Sequence, residues 1–145
     1  MYNSQKGNAY IKAYGSTQDL ETAAAVFKFA ADNTSVEWKL DVYDDNSIKT
    51  VVVTDKSEYY VNGTYAQKQL QIECERIIDI HSHLSGGTKG GAGNDFNLAK
   101  PKRKNAVYIR DSGKEEMLYE YNNKKSQIKS IPIFSKEDLL QYIRK

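Results

Sequence analysis

Between residues 20 and 43 the apolar side chains change period, and that change sets the class of fold. Leu20, Ala23, Ala24, Phe27, Ala30 and Ala31 recur at helical spacing up to Asp32-Asn33, behind a Ser16-Thr17-Gln18-Asp19 capping stretch. From Val36 onward the period drops to two. Val36, Trp38, Leu40 and Val42 alternate with Glu37, Lys39, Asp41 and Tyr43, the pattern of a strand with one buried face. Glu37 is therefore expected to point away from the tryptophan side. An amphipathic helix running into a strand needs a sheet to cover, so the chain reads as a mixed α/β (α+β) domain.

The remaining elements fill out that sheet. Asp44-Asp45-Asn46-Ser47 reads as a turn, Ile48 to Thr54 as a second β-rich run, and Glu58 to Val61 as a third that ends at a tight Asn62-Gly63 turn. Together these pieces predict a meander. Between Tyr65 and Arg76 the pattern is open: Leu70, Cys74 and Ile77 fit a helix, whereas Leu70, Ile72 and Cys74 fit a strand. Ile77 to His83 reads as a buried strand, followed by a glycine-rich loop and a short helical segment over Asp95 to Ala99. Three more strands are expected at Asn105–Arg110, Met117–Tyr121 and Gln127–Ile133. Ser135 with Asp138 forms a capping pattern for a last helix with Leu139, Leu140 and Ile143 on its apolar side. No repeat and no low-complexity linker divides residues 1–145, so a single domain is expected.

Charge and composition narrow the function. A formal charge of +2 is too small an excess to argue for a polyanionic partner, so no nucleic acid is expected. The densest basic run, Pro101-Lys102-Arg103-Lys104, carries no interleaved aromatic residues and reads as a solvated loop. No stretch approaches the roughly 20 apolar residues of a membrane span, so membrane insertion is not expected. The chain starts without a basic segment leading into a hydrophobic one, so no signal peptide of its own is expected. Cys74 is the only cysteine, which excludes an internal disulfide framework and a cysteine-rich zinc site. Eleven tyrosines against four phenylalanines suggest half-exposed sheet surfaces.

The stretch Ile77-Ile78-Asp79-Ile80-His81-Ser82-His83 carries the chemistry. On a strand, residues i and i+2 project to one face with β-carbons about 6.5–7 Å apart, so two imidazoles can converge on one ion. His81 and His83 have that spacing, and they are the only two histidines in the chain. A catalytic zinc usually takes three protein ligands and keeps a fourth position for water. Asp95, the first acidic residue after the pair, stands where a loop turns into a helix, from which a carboxylate can reach back over the strand end. The structural alternative is a pair of surface histidines and an aspartate that caps a helix. The glycine loop lacks the Gly-Lys-Ser/Thr ending of a phosphate loop and reads as a mobile cover beside the metal.

Two families place His-x-His at a strand end. The amidohydrolase and related phosphatase barrels need about 250 residues. Only 62 residues and no further histidine follow His83 here, which excludes them. The second is the JAB/MPN (JAMM) metallopeptidases, whose pattern is an upstream glutamate, His-x-His-Pro, then Ser-x-x-Asp after a short loop. The chain resembles this family over most of its length, in its order of helix, strand with glutamate, His-x-His strand, glycine loop and closing strands. The Asn33-Thr34-Ser35-Val36-Glu37-Trp38 and Ile80-His81-Ser82-His83 segments together look closest to the JAB-like toxin domains of bacterial polymorphic toxins.

That resemblance implies a mixed β-sheet flanked by helices, of the cytidine deaminase-like kind. It implies a Zn2+ ion on His81, His83 and Asp95, with Glu37 as the catalytic general base; the residues alone do not prefer Glu37 over Glu58, Glu73 or Glu75. The implied activity is hydrolysis of a peptide or isopeptide bond in a protein or peptide substrate, within a toxin or effector domain that an immunity protein can neutralise. Such a domain is expected in the cytoplasm or delivered as part of a secreted bacterial effector. The chain departs from the pattern in three places. Leu84 replaces the proline, the loop between His83 and Asp95 is one residue longer, and Ala92 stands where the family has its serine. Loop length is cheap in free energy. The serine matters more, because losing an oxyanion donor costs roughly 2.7–4 kcal/mol of transition-state stabilisation; Ser85 or Thr88 are the candidate substitutes. Ala92 thus also admits a second function, a catalytically impaired MPN-type scaffold that binds a partner protein. A third reading makes the histidines merely structural.

Overall fold

Along the chain run β1 (Tyr2–Gln5), β2 (Asn8–Ile11), β3 (Ala13–Thr17), α1 (Leu20–Asn33), β4 (Lys39–Asp44), β5 (Ile48–Thr54), α2 (Thr64–Gln69), β6 (Arg76–His83), β7 (Lys104–Ile109), β8 (Met117–Tyr121), β9 (Gln127–Pro132) and α3 (Lys136–Arg144). The computed structural model describes residues 2–5, 8–11, 13–44, 46–57, 61–83, 103–110, 116–122 and 127–145. β1 and β2 pair with each other, while seven strands form one mixed sheet in the order β3-β5-β4-β6-β7-β8-β9. Within that sheet β6 and β7 run parallel and the other neighbours run antiparallel. The architecture is the expected mixed α/β one. Among the described residues no helix is long and apolar enough to cross a membrane.

The helix-period residues of α1 lie where their spacing put them. Ala23, Ala24, Phe27 and Ala31 are buried against Leu40, Val42, Val52, Ile78, Ile80, Ala106 and Tyr108 of the sheet, joined by Leu139, Tyr142 and Ile143 of α3. The small alanines let the helix approach the strands closely, and Phe27 fills the remaining space with its ring edge-on to Tyr108 at 6.1 Å. The caps follow local chemistry. The Asp19 carboxylate accepts from the Glu21 N–H at 3.1 Å, and the Ser135 hydroxyl accepts from the Asp138 N–H at 3.3 Å.

Several local expectations are corrected. Ser16 and Thr17 do not cap α1; they belong to β3, whose register Ala13↔Thr54 to Thr17↔Thr50 ties it to β5. The strand after α1 has both faces buried, because α2 and the loops around it cover the second face of the sheet. The alternating polar residues Lys39 and Asp41 are buried as well, paired in an ionic cluster that period alone does not announce. The meander does not form as drawn: β5 lies between β3 and β4, and Gly63 starts α2 instead of closing a hairpin. The Asn62 side chain accepts from the Thr64 N–H at 2.8 Å, so the same residues that signal a turn open a helix. The open segment resolves into α2 and a connecting loop up to Arg76. Residues 58–60 and the short helix expected over Asp95–Ala99 lie outside the described residues. Tyr43, Tyr108, Tyr119, Tyr121 and Tyr142 are buried, not half-exposed, since each tyrosine brings a large apolar body to the core.

Beneath the second face runs a buried ionic cluster. Lys39 lies 3.4 Å from Asp41 and 3.3 Å from Asp79; Arg76 lies 3.5 Å from Asp41; Arg103 lies 3.6 Å from Asp79. Arg103 is thus no part of a solvated loop. Its side chain is only 8% exposed, because a guanidinium can bury its stem while its charge meets a carboxylate. Burial pushes the Asp41 carboxyl up from its ordinary range, and the neighbouring Asp79 adds to that push against Lys39 and Arg76. For Asp79 burial acts in the same direction, but Lys39, His81, Arg76 and Arg103 together hold it below the usual carboxylate range. The chain passes the cluster at Gly63, where a β-carbon would collide with the Asp41 carboxylate. Removing one member of such a buried set strands the opposite charges. Asp41→Ala is therefore expected to lower the unfolding free energy by about 3–5 kcal/mol in urea denaturation, far more than an exposed carboxylate would.

Candidate metal centre

β6 delivers the two histidines and the approach to β4 delivers the glutamate. Lys39 pairs with His81, Leu40 with Ile80 and Asp41 with Asp79 across the antiparallel β4–β6 ladder. Continuing that register by two residues sets Trp38 opposite Ser82 and Glu37 opposite His83. Because side chains alternate, Glu37, His81 and His83 share the face that also holds Lys39, Asp41 and Asp79. The imidazole rings of His81 and His83 have centroids 4.9 Å apart and planes inclined at 67°. The Tyr121 ring stands edge-on to His81 at 6.3 Å and flanks it on the β8 side.

These three residues form the group suited to a metal among the described residues. One ligand atom from each of Glu37, His81 and His83 lies within 4.8 Å of the others, so all three can face a common cation. Glu37 is 6% exposed and His81 7% exposed, whereas His83 at the end of β6 is half-buried. Burial among these three thus falls off toward the end of β6. Imidazole nitrogen and carboxylate oxygen are the donor types that zinc and similar divalent ions take, so the residues fit a metal.

Glu37 is held by its backbone on every side. Its N–H donates to the Ser57 carbonyl at 2.8 Å, and its own carbonyl accepts from the fully buried Thr54 hydroxyl at 2.7 Å. The next residue is tied to β6: the Trp38 N–H donates to the Ser82 hydroxyl at 2.8 Å, while the Ser82 N–H donates to the Trp38 carbonyl at 2.8 Å. The Trp38 indole turns to the opposite face of the sheet. There its Nε1–H donates to the Thr34 hydroxyl at 2.8 Å, and its ring lines an apolar pocket with Tyr14, Thr22, Val26 and Val52. The junction leading to Glu37 is anchored in turn by Arg110, which donates to the carbonyls of Asp32 at 2.9 Å and Thr34 at 3.0 Å. A main chain fixed through this many bonds lowers the ordering cost of presenting the Glu37 side chain to a ligand.

Of the residues expected at the site, the structure brings together Glu37, His81 and His83. Asp95, Ser85 and Thr88, with the glycine loop and Ala92, lie outside the described residues. Ser82, Thr54, Ser57 and Thr34 were not singled out by sequence. Only Ser82 carries a signal that was there to be read, a hydroxyl placed between the two histidines; the others become partners through the fold alone.

No curated protein and no solved structure matches the chain. The model of a family described as JAB-like toxin 1 matches residues 15–102, more than half of the chain and a span that runs from within β3 past Glu37, His81, His83 and Asp95. The match agrees with the mixed sheet, with the helix-to-strand junction that presents Glu37 and with the paired histidines on β6, and the chain belongs to the JAB-like toxin family.

Proposed function

We propose that this domain is a zinc-dependent metallopeptidase of the JAB type, hydrolysing a peptide or isopeptide bond in a protein substrate as a bacterial toxin or effector. The observation that carries the reading is the convergence of the Glu37, His81 and His83 ligand atoms within 4.8 Å of one another. His81 and His83 are two metal ligands and Asp95 the third, leaving Glu37 free of ligand duty. A zinc ion at this position supplies Lewis acidity, polarising the scissile carbonyl and acidifying the attacking water.

The chain's own groups do the proton work. Glu37 takes the proton of the attacking water at a carboxylate oxygen and returns it to the leaving amine nitrogen. Its burial strengthens the interaction with developing charge, and its anchored backbone keeps the segment that carries it beside β6. Ser85 or Thr88 in the glycine loop supplies the oxyanion donor that Ala92 cannot. In this reading the domain acts on a protein substrate, is delivered as part of a secreted bacterial effector and is controlled by an immunity protein.

Ala92 favours a second reading, a JAB-type scaffold that binds a protein partner without turnover. The readings part at Glu37. In the peptidase, Glu37→Gln retains the metal and lowers cleavage or toxicity by at least 10²-fold, the range associated with a lost general base; a scaffold retains toxicity in the same variant. Metal dependence is tested separately. Zinc at about 100 times its dissociation constant is expected to stabilise the wild type by about 2.7 kcal/mol in thermal unfolding. A chelator should reverse the gain, and His81→Ala or His83→Ala should abolish it. Identical unfolding curves with zinc and with chelator would leave the histidines a structural role only.

A further inference from the structure

The rung of the sheet between the two histidines is not an ordinary backbone rung. In a regular antiparallel ladder a hydrogen-bonded pair exchanges two bonds, each from an N–H to the opposite carbonyl. At the pair Trp38–Ser82 one of them is regular, the Ser82 N–H to the Trp38 carbonyl at 2.8 Å. In the return bond the Trp38 N–H reaches the Ser82 hydroxyl at 2.8 Å, and a side-chain oxygen takes the place of the backbone acceptor. The Ser82 side chain thereby occupies the space between the strands, where it is 3% exposed, and the regular pairing of β4 begins only at Lys39.

We propose that the Ser82 hydroxyl is the positioning group of the metal centre, setting the separation between the Glu37-Trp38 segment and the end of β6 that carries His81 and His83. Ser82 is flanked directly by both histidines, and its bonding partner is the residue next to Glu37. One hydrogen bond therefore links the strand of the two histidines to the segment that carries Glu37. Its loss leaves two options for the Trp38 N–H. It stays unsatisfied in a buried setting, or the strands close to a regular rung and Glu37 moves relative to His83. Either outcome disturbs the alignment of the imidazoles, and outer residues of this kind change metal affinity by about 10–100-fold when removed.

The inference rests on a divalent metal being held at this site. The test uses an isosteric pair, Ser82→Thr, which keeps the hydroxyl, and Ser82→Val, which has the same shape without it. Cobalt(II) binding to the intact protein is measured by titration, with the visible spectrum of the bound ion reporting its coordination, and the metal-free unfolding midpoint is measured alongside. The expected result is affinity within about threefold of wild type for Ser82→Thr, and a loss of about 10–100-fold with an altered spectrum for Ser82→Val. Equal affinities for the wild type and Ser82→Val, or equal losses in both variants, overturn the positioning role while leaving the metal centre intact. No cobalt or zinc binding by the wild type overturns the metal centre itself, and the proposal with it. If Ser82→Val does not fold, Ser82→Ala is measured against Ser82→Thr by the same criteria.

Discussion

The register between β4 and β6 is the constraint on which the rest of the structure depends. With Lys39 opposite His81, side chains at alternate positions place Glu37, His81 and His83 on one face and Leu40, Val42, Ile78 and Ile80 on the other. A slip by one residue would exchange the faces, turning imidazoles and carboxylates into the core under α1 and apolar side chains toward the ionic cluster. The hydrophobic layer between the sheet and helices α1 and α3 makes that slip costly, so packing on one side of the sheet holds the chemistry on the other.

The same register explains why so much charge is tolerated inside. Asp41 and Asp79 face each other across the two strands, and they would repel without Lys39, Arg76 and Arg103 around them. Separations of 3.3–3.8 Å describe Coulombic pairing more than tight hydrogen bonding. A cluster of this kind adds little net stability over an apolar filling, but it permits few alternative arrangements of the strands that carry it. It also gives the histidines a polar floor in place of a hydrophobic one. Above that floor the Glu37 backbone bonds to Thr54 and Ser57 at the end of β5, and its neighbour Trp38 bonds to Ser82 of β6.

Much of this was legible because it is written in period and spacing. The alanine-rich face of α1, the strand ending in His81 and His83, the strands β7 to β9 and the Ser135 cap of α3 all follow from local pattern. Glu37 was legible through family resemblance alone, since a carboxylate on a strand is commonplace until its neighbours are known. The strands before α1 were missed, because their pairing with β5 depends on a partner far along the chain. Asn62-Gly63 was misread because the same turn chemistry serves hairpins and helix starts. Arg103 was misread because its partner Asp79 is set by the parallel β6–β7 pairing, which no basic run announces.

The central claim is the proposal that His81 and His83 hold one zinc ion at the end of β6, with Glu37 beside it. X-ray absorption at the zinc edge of the zinc-loaded protein tests it most directly. The account predicts one tightly held zinc per chain, with two imidazole ligands and the remaining positions filled by oxygen. A protein that retains no zinc, or a zinc environment without imidazole, would contradict it.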